Sequence, residues 1–218
     1  MSGVFEGKTT GTPISLIVFN EDHHSKDYSN IKDCYRPGHA DFGYDQKYGF
    51  RDYRGGGRSS ARETLARVAA GAIAKKILKE LEIDVFAYTF SIGDIQVDDK
   101  NISLEEVLNN DLYMPDKIAY EKAKIFLSKC IDDLDSAGGV IQCKVKGLMA
   151  GIGEPVFDKL DAELAKSIFS IGAVKAFEIG LGVESTKVFG SENNDNFYFE
   201  DNEIKKGTNN AGGILGGI

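Results

Sequence analysis

The stretch RDYRGGGRSSARET, residues 51–64, gathers chemistry that little else in the chain offers. Arg51, Arg54, Arg58 and Arg62 recur every three or four residues around a run of glycines, and Ser59 and Ser60 follow that run. Guanidinium groups give planar, paired donors to phosphate or carboxylate oxygens. Glycines ahead of a helix let backbone N–H groups turn toward an anion, and the helix dipole adds positive charge at the same point. The residue types therefore point to an anion site. The other reading is a capped surface helix whose arginines pair with Asp45, Asp52 and Glu63, and the stretch alone leaves both open.

The surrounding charge narrows the ligand. The chain has 218 residues and a formal net charge of −8, yet six arginines and one lysine face only four acids between Arg36 and Arg67. A cationic island in an acidic protein suits a small anion and disfavours nucleic acid or an anionic membrane as partner. No apolar run approaches the roughly 20 residues of a membrane span, and the start lacks a basic segment followed by an apolar one. Cys34, Cys130 and Cys143 are odd in number and never form a CxxC pair. That argues against a disulfide framework or a structural metal site and fits a reducing cytoplasm.

Among the histidines, His39 stands out in RPGHAD, three residues after Arg36 and two before Asp41. An imidazole there can move a proton near neutral pH; a structural or solvated histidine is the plainer reading. His23 and His24 read as a solvated turn. EGKTTG contains the GKT of a phosphate-binding loop, but Ser2 stands where that loop needs its first glycine, so nucleotide hydrolysis is excluded.

These residues need a scaffold. The apolar run 12–20 predicts a buried strand, and 21–57 a long functional loop. Ser60 and Glu63 form an S-x-x-E capping pattern, and apolar positions from Leu65 to Leu81 at three- and four-residue spacing predict a helix over 60–82 with one buried face. A strand over 84–97 bent at Gly93, helices near 103–109 and over 116–133, and a half-buried strand over 138–148 follow. A helix over 154–171, with Pro155 near its start, precedes two short strands over 174–180 and 183–190 and then a polar loop to Asn210. Helices and strands mix without βαβ alternation, so the expected class is α+β, in a single domain over residues 1–218.

Several stretches together resemble the chorismate synthase family: SGVFEGKTTGTPI, the long run from DYSNIKDCYRPGHADFGYDQKYGF through RDYRGGGRSSARETLARVAAGAIAKK, GIGEPVFDKLDAELAKSIFSIGAVKAFEIG, and NNAGGILGGI. They follow the family's order; the section from about 84 to 147 matches loosely. The resemblance implies a β-α-β sandwich with helices packed between antiparallel sheets, and a homotetramer. It implies anti-1,4-elimination of phosphate from 5-enolpyruvylshikimate 3-phosphate to give chorismate, with reduced FMN as cofactor and NADPH as a possible reductant. By matching position it makes His39 one of two catalytic histidines, at the flavin, and makes Arg58, Ser59, Ser60, Gly172, Ala173 and Gly216 flavin contacts. The family also carries an upstream GESHG segment with the second histidine, an RRRPG segment, and downstream KPT and RHDPC segments, none of which occurs here. The chain is thus expected to be the central part of such an enzyme, with weak flavin binding and little turnover. The alternative is a non-catalytic fragment that self-associates without flavin.

Overall fold

The structure, a computed structural model, describes residues 2–21, 25–54 and 60–218. It mixes helices with three small antiparallel sheets, in keeping with the expected α+β class. The chain divides into two compact units, one of residues 1–72 with 149–218 and one of residues 73–148.

The first unit opens with a hairpin of β1 (Val4–Phe5) and β2 (Lys8–Thr9), turning on Glu6 and Gly7, whose φ of 48° and 78° suit a two-residue hairpin loop. The strand expected over 12–20 does not form. The run makes a single bridge, Ser15 to Ser2, and Phe19 is 80% exposed. A strand needs a hydrogen-bonding neighbour and an apolar run needs cover on both faces; the described residues supply neither. The expected loop over 21–57 contains a 3₁₀ turn (Ser25–Ile31) and helix α1 (Asp41–Tyr48), which stops where Gly49, at φ 78°, donates to the Asp45 carbonyl. Beyond Ser60, a 3₁₀ turn (Ala61–Glu63) runs into α2 (Thr64–Glu80). Its expected buried face is open, with Val68 72% exposed. Helix formation needs only local hydrogen bonds, whereas burial needs a second surface, which the described residues do not lay on this stripe.

The second unit holds all the fully buried apolar side chains of the described residues. Strand β3 (Asp84–Ile92) turns at Gly93 into β4 (Ile95–Gln96), as the expected bend there required. The sheet order is β4-β3-β5, with β5 (Gly139–Lys146) antiparallel to β3. β5 is exposed along nearly all its length rather than half-buried, because it is an edge strand and α4 packs at the β4 side. α3 (Leu104–Val107) is short, and α4 (Lys117–Asp132) presses Ala119 and Ala123 onto Val97 and Met114. Asp116 sets the start of α4: its Oδ1 accepts from the N–H groups of Ile118 (2.8 Å) and Ala119 (3.2 Å), and its Oδ2 from Asp98 N–H (3.2 Å). Burial penalises this carboxylate, but those donors and the Asn101 amide outweigh it and hold the group below the usual carboxylate range.

Back in the first unit, α5 (Leu160–Phe169) begins five residues after Pro155, later than expected, because Glu154 and Asp158 bridge, Glu154 N–H donating to the Asp158 carbonyl at 2.9 Å, and fold the intervening residues into a turn. The two strands expected over 174–180 and 183–190 are replaced by irregular chain, a 3₁₀ turn (Gly182–Lys187) and α6 (Gly190–Asn193). Ser185 and Thr186 donate their hydroxyls to the carbonyls of Gly182 and Val183, local bonds that compete with a ladder. The expected polar loop contains a hairpin, β6 (Phe197–Glu200) with β7 (Glu203–Lys206), turning on Asp201 and Asn202 at φ 53° and 63°.

Replacing the buried cap Asp116 with Ala should cost about 1–2 kcal/mol of unfolding free energy, read by urea denaturation. Asp116→Asn, which keeps an accepting oxygen, should cost less.

Candidate active site

The tetrapeptide Arg36-Pro37-Gly38-His39 folds as a turn, with Pro and a left-handed Gly (φ 69°) at its centre and His39 N–H donating to the Arg36 carbonyl at 3.2 Å. The turn sets Arg36 and His39 side by side just ahead of α1. Asp41, the first residue of α1, folds its side chain back over them and is only 3% exposed. Arg36 donates to both its oxygens, Nε to Oδ2 at 2.8 Å and Nη2 to Oδ1 at 3.0 Å, and adds its backbone N–H to Oδ2 at 3.2 Å. Arg51 approaches from the other side, with Nη1 3.1 Å from Asp41 Oδ1 and Nε 3.4 Å from Asp45.

Arg51 is itself buried, with a side chain 7% exposed. Its Nη2 donates to the carbonyls of Ile31 (3.1 Å), Lys32 (2.9 Å) and Cys34 (2.7 Å). Its Nη1 has a carboxylate neighbour but no aligned hydrogen bond. The guanidinium also lies 5.4 Å from the Tyr35 ring centre, and Tyr35 meets Phe42 edge-on. The expectation that Arg51 offers its donors to an anionic ligand is therefore corrected. Its Nη2 closes the loop before α1, and the rest of the guanidinium is buried against Asp41 and Asp45.

His39 rides on this frame. Its Nδ1 lies 3.1 Å from Arg36 Nη2 and 3.1 Å from Asp41 Oδ1, and its side chain is 25% exposed. The Arg36 hydrogen bonds, above all, hold Asp41 far below the usual carboxylate range, and the same pairing raises the Arg36 guanidinium. Sequence reading placed Arg36 and Asp41 beside His39 but missed that the two pair with each other and with the ring. The available signal was the turn code R-P-G-H, which sets the two side chains together.

The other candidates occupy the same unit. Arg58 and Ser59 lie outside the described residues. Ser60 caps the helix as expected, its Oγ accepting from Arg62 N–H at 3.2 Å, but Glu63 turns away from the expected capping pair and bonds Arg67 at 2.6 Å. Arg54 pairs with Asp52 at 2.9 Å, as the surface-helix reading had it for that acid. Arg67 also donates to the Ser170 carbonyl at 2.9 Å, tying the start of α2 to the turn that carries Gly172 and Ala173. Ala173 sits at φ 69°, a left-handed conformation that costs a non-glycine residue about 1–2 kcal/mol. Gly216 lies in the closing turn, whose Gly217 carbonyl accepts from Leu160 N–H at 2.7 Å. α5, roughly 15 Å long at its usual rise, thus holds one candidate turn at each end.

The turn just before it is held separately. Asp195 accepts from Thr208 Oγ1 (2.6 Å), Asn210 N–H (2.7 Å) and Ala211 N–H (3.0 Å), and the Thr208 bond leads in holding its carboxyl below the usual range. Gly180 crosses Gly212 so closely that a Cβ on Gly180 would strike the Asn210 carbonyl and the Gly212 nitrogen. At Gly172 and Gly216 a Cβ would meet nothing. Among the described residues no hydrogen bond joins the His39 group to Ser60, Gly172 or Gly216, and no cluster of His, Cys, Asp or Glu could hold a metal.

Removing the Asp41 charge should strongly destabilise the unit: Asp41→Asn takes the counter-ion from Arg36 and leaves buried Arg51 with Asp45 alone, at about 3 kcal/mol. Because folding depresses this carboxyl, its contribution is complete above the unfolded value near pH 4 and drains away as pH falls below it. Acid unfolding followed by circular dichroism should show a midpoint shift that vanishes in Asp41→Asn.

A family model described as chorismate synthase matches residues 1–218. A chorismate synthase of Lachnoclostridium phytofermentans is 63% identical over all of this chain and 60% of its own length. One from Methanosarcina mazei is 53% identical, again over all of this chain and 60% of its own length. A solved structure described as "Crystal Structure of Chorismate Synthase" superposes with a TM-score of 0.84 at 31% identity, covering 100% of this chain and 66% of that one. The chain therefore spans about three fifths of the curated relatives it matches. With a family model matched from first residue to last, the chain belongs to the chorismate synthase family.

Proposed function

We propose that this chain carries the flavin-side half of a chorismate synthase active site, acting in the anti-1,4-elimination of phosphate from 5-enolpyruvylshikimate 3-phosphate. The carrying observation is His39, held through Nδ1 on the Arg36–Asp41 pair, whose carboxylate is buried, inside a family match of the full chain. Reduced FMN, when bound, would supply an electron transiently and recover it, leaving the reaction redox-neutral.

The chain's own residues bind, orient and donate. His39 offers a hydrogen bond or proton near the flavin ring. The N–H groups at the Ser60 helix start, with Arg58 and Ser59 beside it in sequence, suit the phosphate of the cofactor. Gly172 and Gly216 present open backbone, with exposed Ala173 beside the first, against which a flat ring system can lie. Net charge and the cationic stretch favour a small polyanionic substrate over nucleic acid. No helix among the described residues is long and apolar enough to cross a membrane. Cytoplasmic action, NADPH as the source of reducing power, and assembly into a homo-oligomer complete the proposal. Assembly is supported by exposed apolar side chains such as Phe19, Phe157 and Ile131.

An anaerobic titration with reduced FMN, followed by fluorescence with and without the substrate, tests the reading. Saturable binding tightened by substrate is the expected result; absence of binding into the high micromolar range overturns it. Where chorismate formation is detected by absorbance, His39→Ala should lower the rate by about 10²–10⁴. Light scattering on the same sample should give a discrete multiple of the 23.8 kDa chain mass, and a single-chain mass would refute assembly.

A further inference from the structure

Two groups of opposite character converge on one nitrogen of His39. Arg36 Nη2 and Asp41 Oδ1 each stand 3.1 Å from Nδ1. A guanidinium can only donate, and a carboxylate can only accept. The contact with Arg36 has hydrogen-bond geometry, whereas that with Asp41 is an ion-pair approach. Asp41 Oδ1 already receives Arg36 Nη2 at 3.0 Å, and Oδ2 receives Arg36 Nε and backbone N–H. The carboxylate is thus well supplied with donors before the imidazole arrives.

From this geometry we infer that Arg36 and Asp41 are positioning residues that keep a proton on Nε2 of His39 in both of its charge states. In the neutral ring Nδ1 accepts from Arg36, so the single proton sits on Nε2. In the charged ring the proton on Nδ1 is met by Asp41, and Nε2 keeps its own. Nε2, the nitrogen that neither partner occupies, is then a permanent donor. That suits a group that hydrogen-bonds electron-rich ring atoms of a reduced flavin and does not suit one that collects protons from substrate. The inference deepens the flavin-side role proposed for His39 and rests on it, but the tautomer itself can be read with no flavin present.

Long-range ¹H–¹⁵N correlation spectra of the imidazoles, taken near pH 8.5 where histidine is ordinarily neutral, test it directly. The chain has three histidines, and His39→Gln assigns the signals of interest by loss. The expected spectrum for His39 is that of a fixed Nε2–H ring, with the two nitrogens fully separated in shift. Arg36→Met leaves Asp41 as the only partner of Nδ1, so the pattern should reverse to Nδ1–H, a response that general loosening of the loop would not give. Asp41→Asn keeps the Arg36 donor and should leave Nε2–H in place. If Arg36→Met does not fold, Arg36→Lys carries the test. Lysine keeps the charge but lacks the planar fork that serves both carboxylate oxygens and the ring, so the tautomers should mix. An Nδ1–H ring in the unaltered chain, or an Nε2–H pattern untouched by the folded Arg36 variant, overturns the inference whether or not flavin binds.

Discussion

The first unit depends on a carboxylate that has left water. Asp41 is almost fully buried, and its charge survives there because two guanidinium groups stand against it, Arg36 with a bidentate grip and Arg51 at ion-pair distance. Pairing of this kind rarely adds much net stability over an apolar core, but losing one partner strands the other. It therefore works as a constraint on arrangement. Arg51 draws three carbonyls of the preceding loop onto one side chain, Arg36 fixes the R-P-G-H turn, and His39 is carried at the edge of the frame. The imidazole owes its place to charges that need not touch a ligand.

The second unit solves a different problem by different means. Its core is small, built on Val97, Met114, Ala119 and Ala123, and alanines on α4 let the helix lie close to its neighbours. Asp116 joins a helix start to the chain near Asp98 through one carboxylate, so backbone donors rather than cations neutralise it. One unit uses a buried acid to set a turn and its histidine, and the other uses one to organise packing.

Sequence reading recovered what is local and periodic. The helices over α2 and α4 and the bend at Gly93 follow from spacing, capping residues and glycine, all of which act within a few neighbours. The short hairpins were missed because each rests on two turn residues, Glu6-Gly7 and Asp201-Asn202, with strands too short to show alternation. Burial was overcalled along 12–20, on α2 and on β5, since an apolar pattern says which face wants cover, not whether a surface lies on it. At the site, His39 and Ser60 were legible as residue types, whereas Arg51 looked like a ligand-binding arginine because sequence cannot tell a spent guanidinium from an available one. Asp41 was seen beside His39, but its pairing was hidden for the same reason: its importance lies in where its partners fold.

The crossing of Gly180 and Gly212 bears on how such a protein can drift. Where two side chains meet, enlargement of one can be answered by shrinkage of the other, and sequences wander through such exchanges. Here main chain meets main chain: a methyl group on Gly180 would strike the Gly212 nitrogen, and one on Gly212 would strike the backbone of Gly180. No substitution elsewhere makes room without moving the strands of chain themselves. The closing turn that presents Gly216 thus hangs from a joint with no compensating partner, and variation in this region has to go around it.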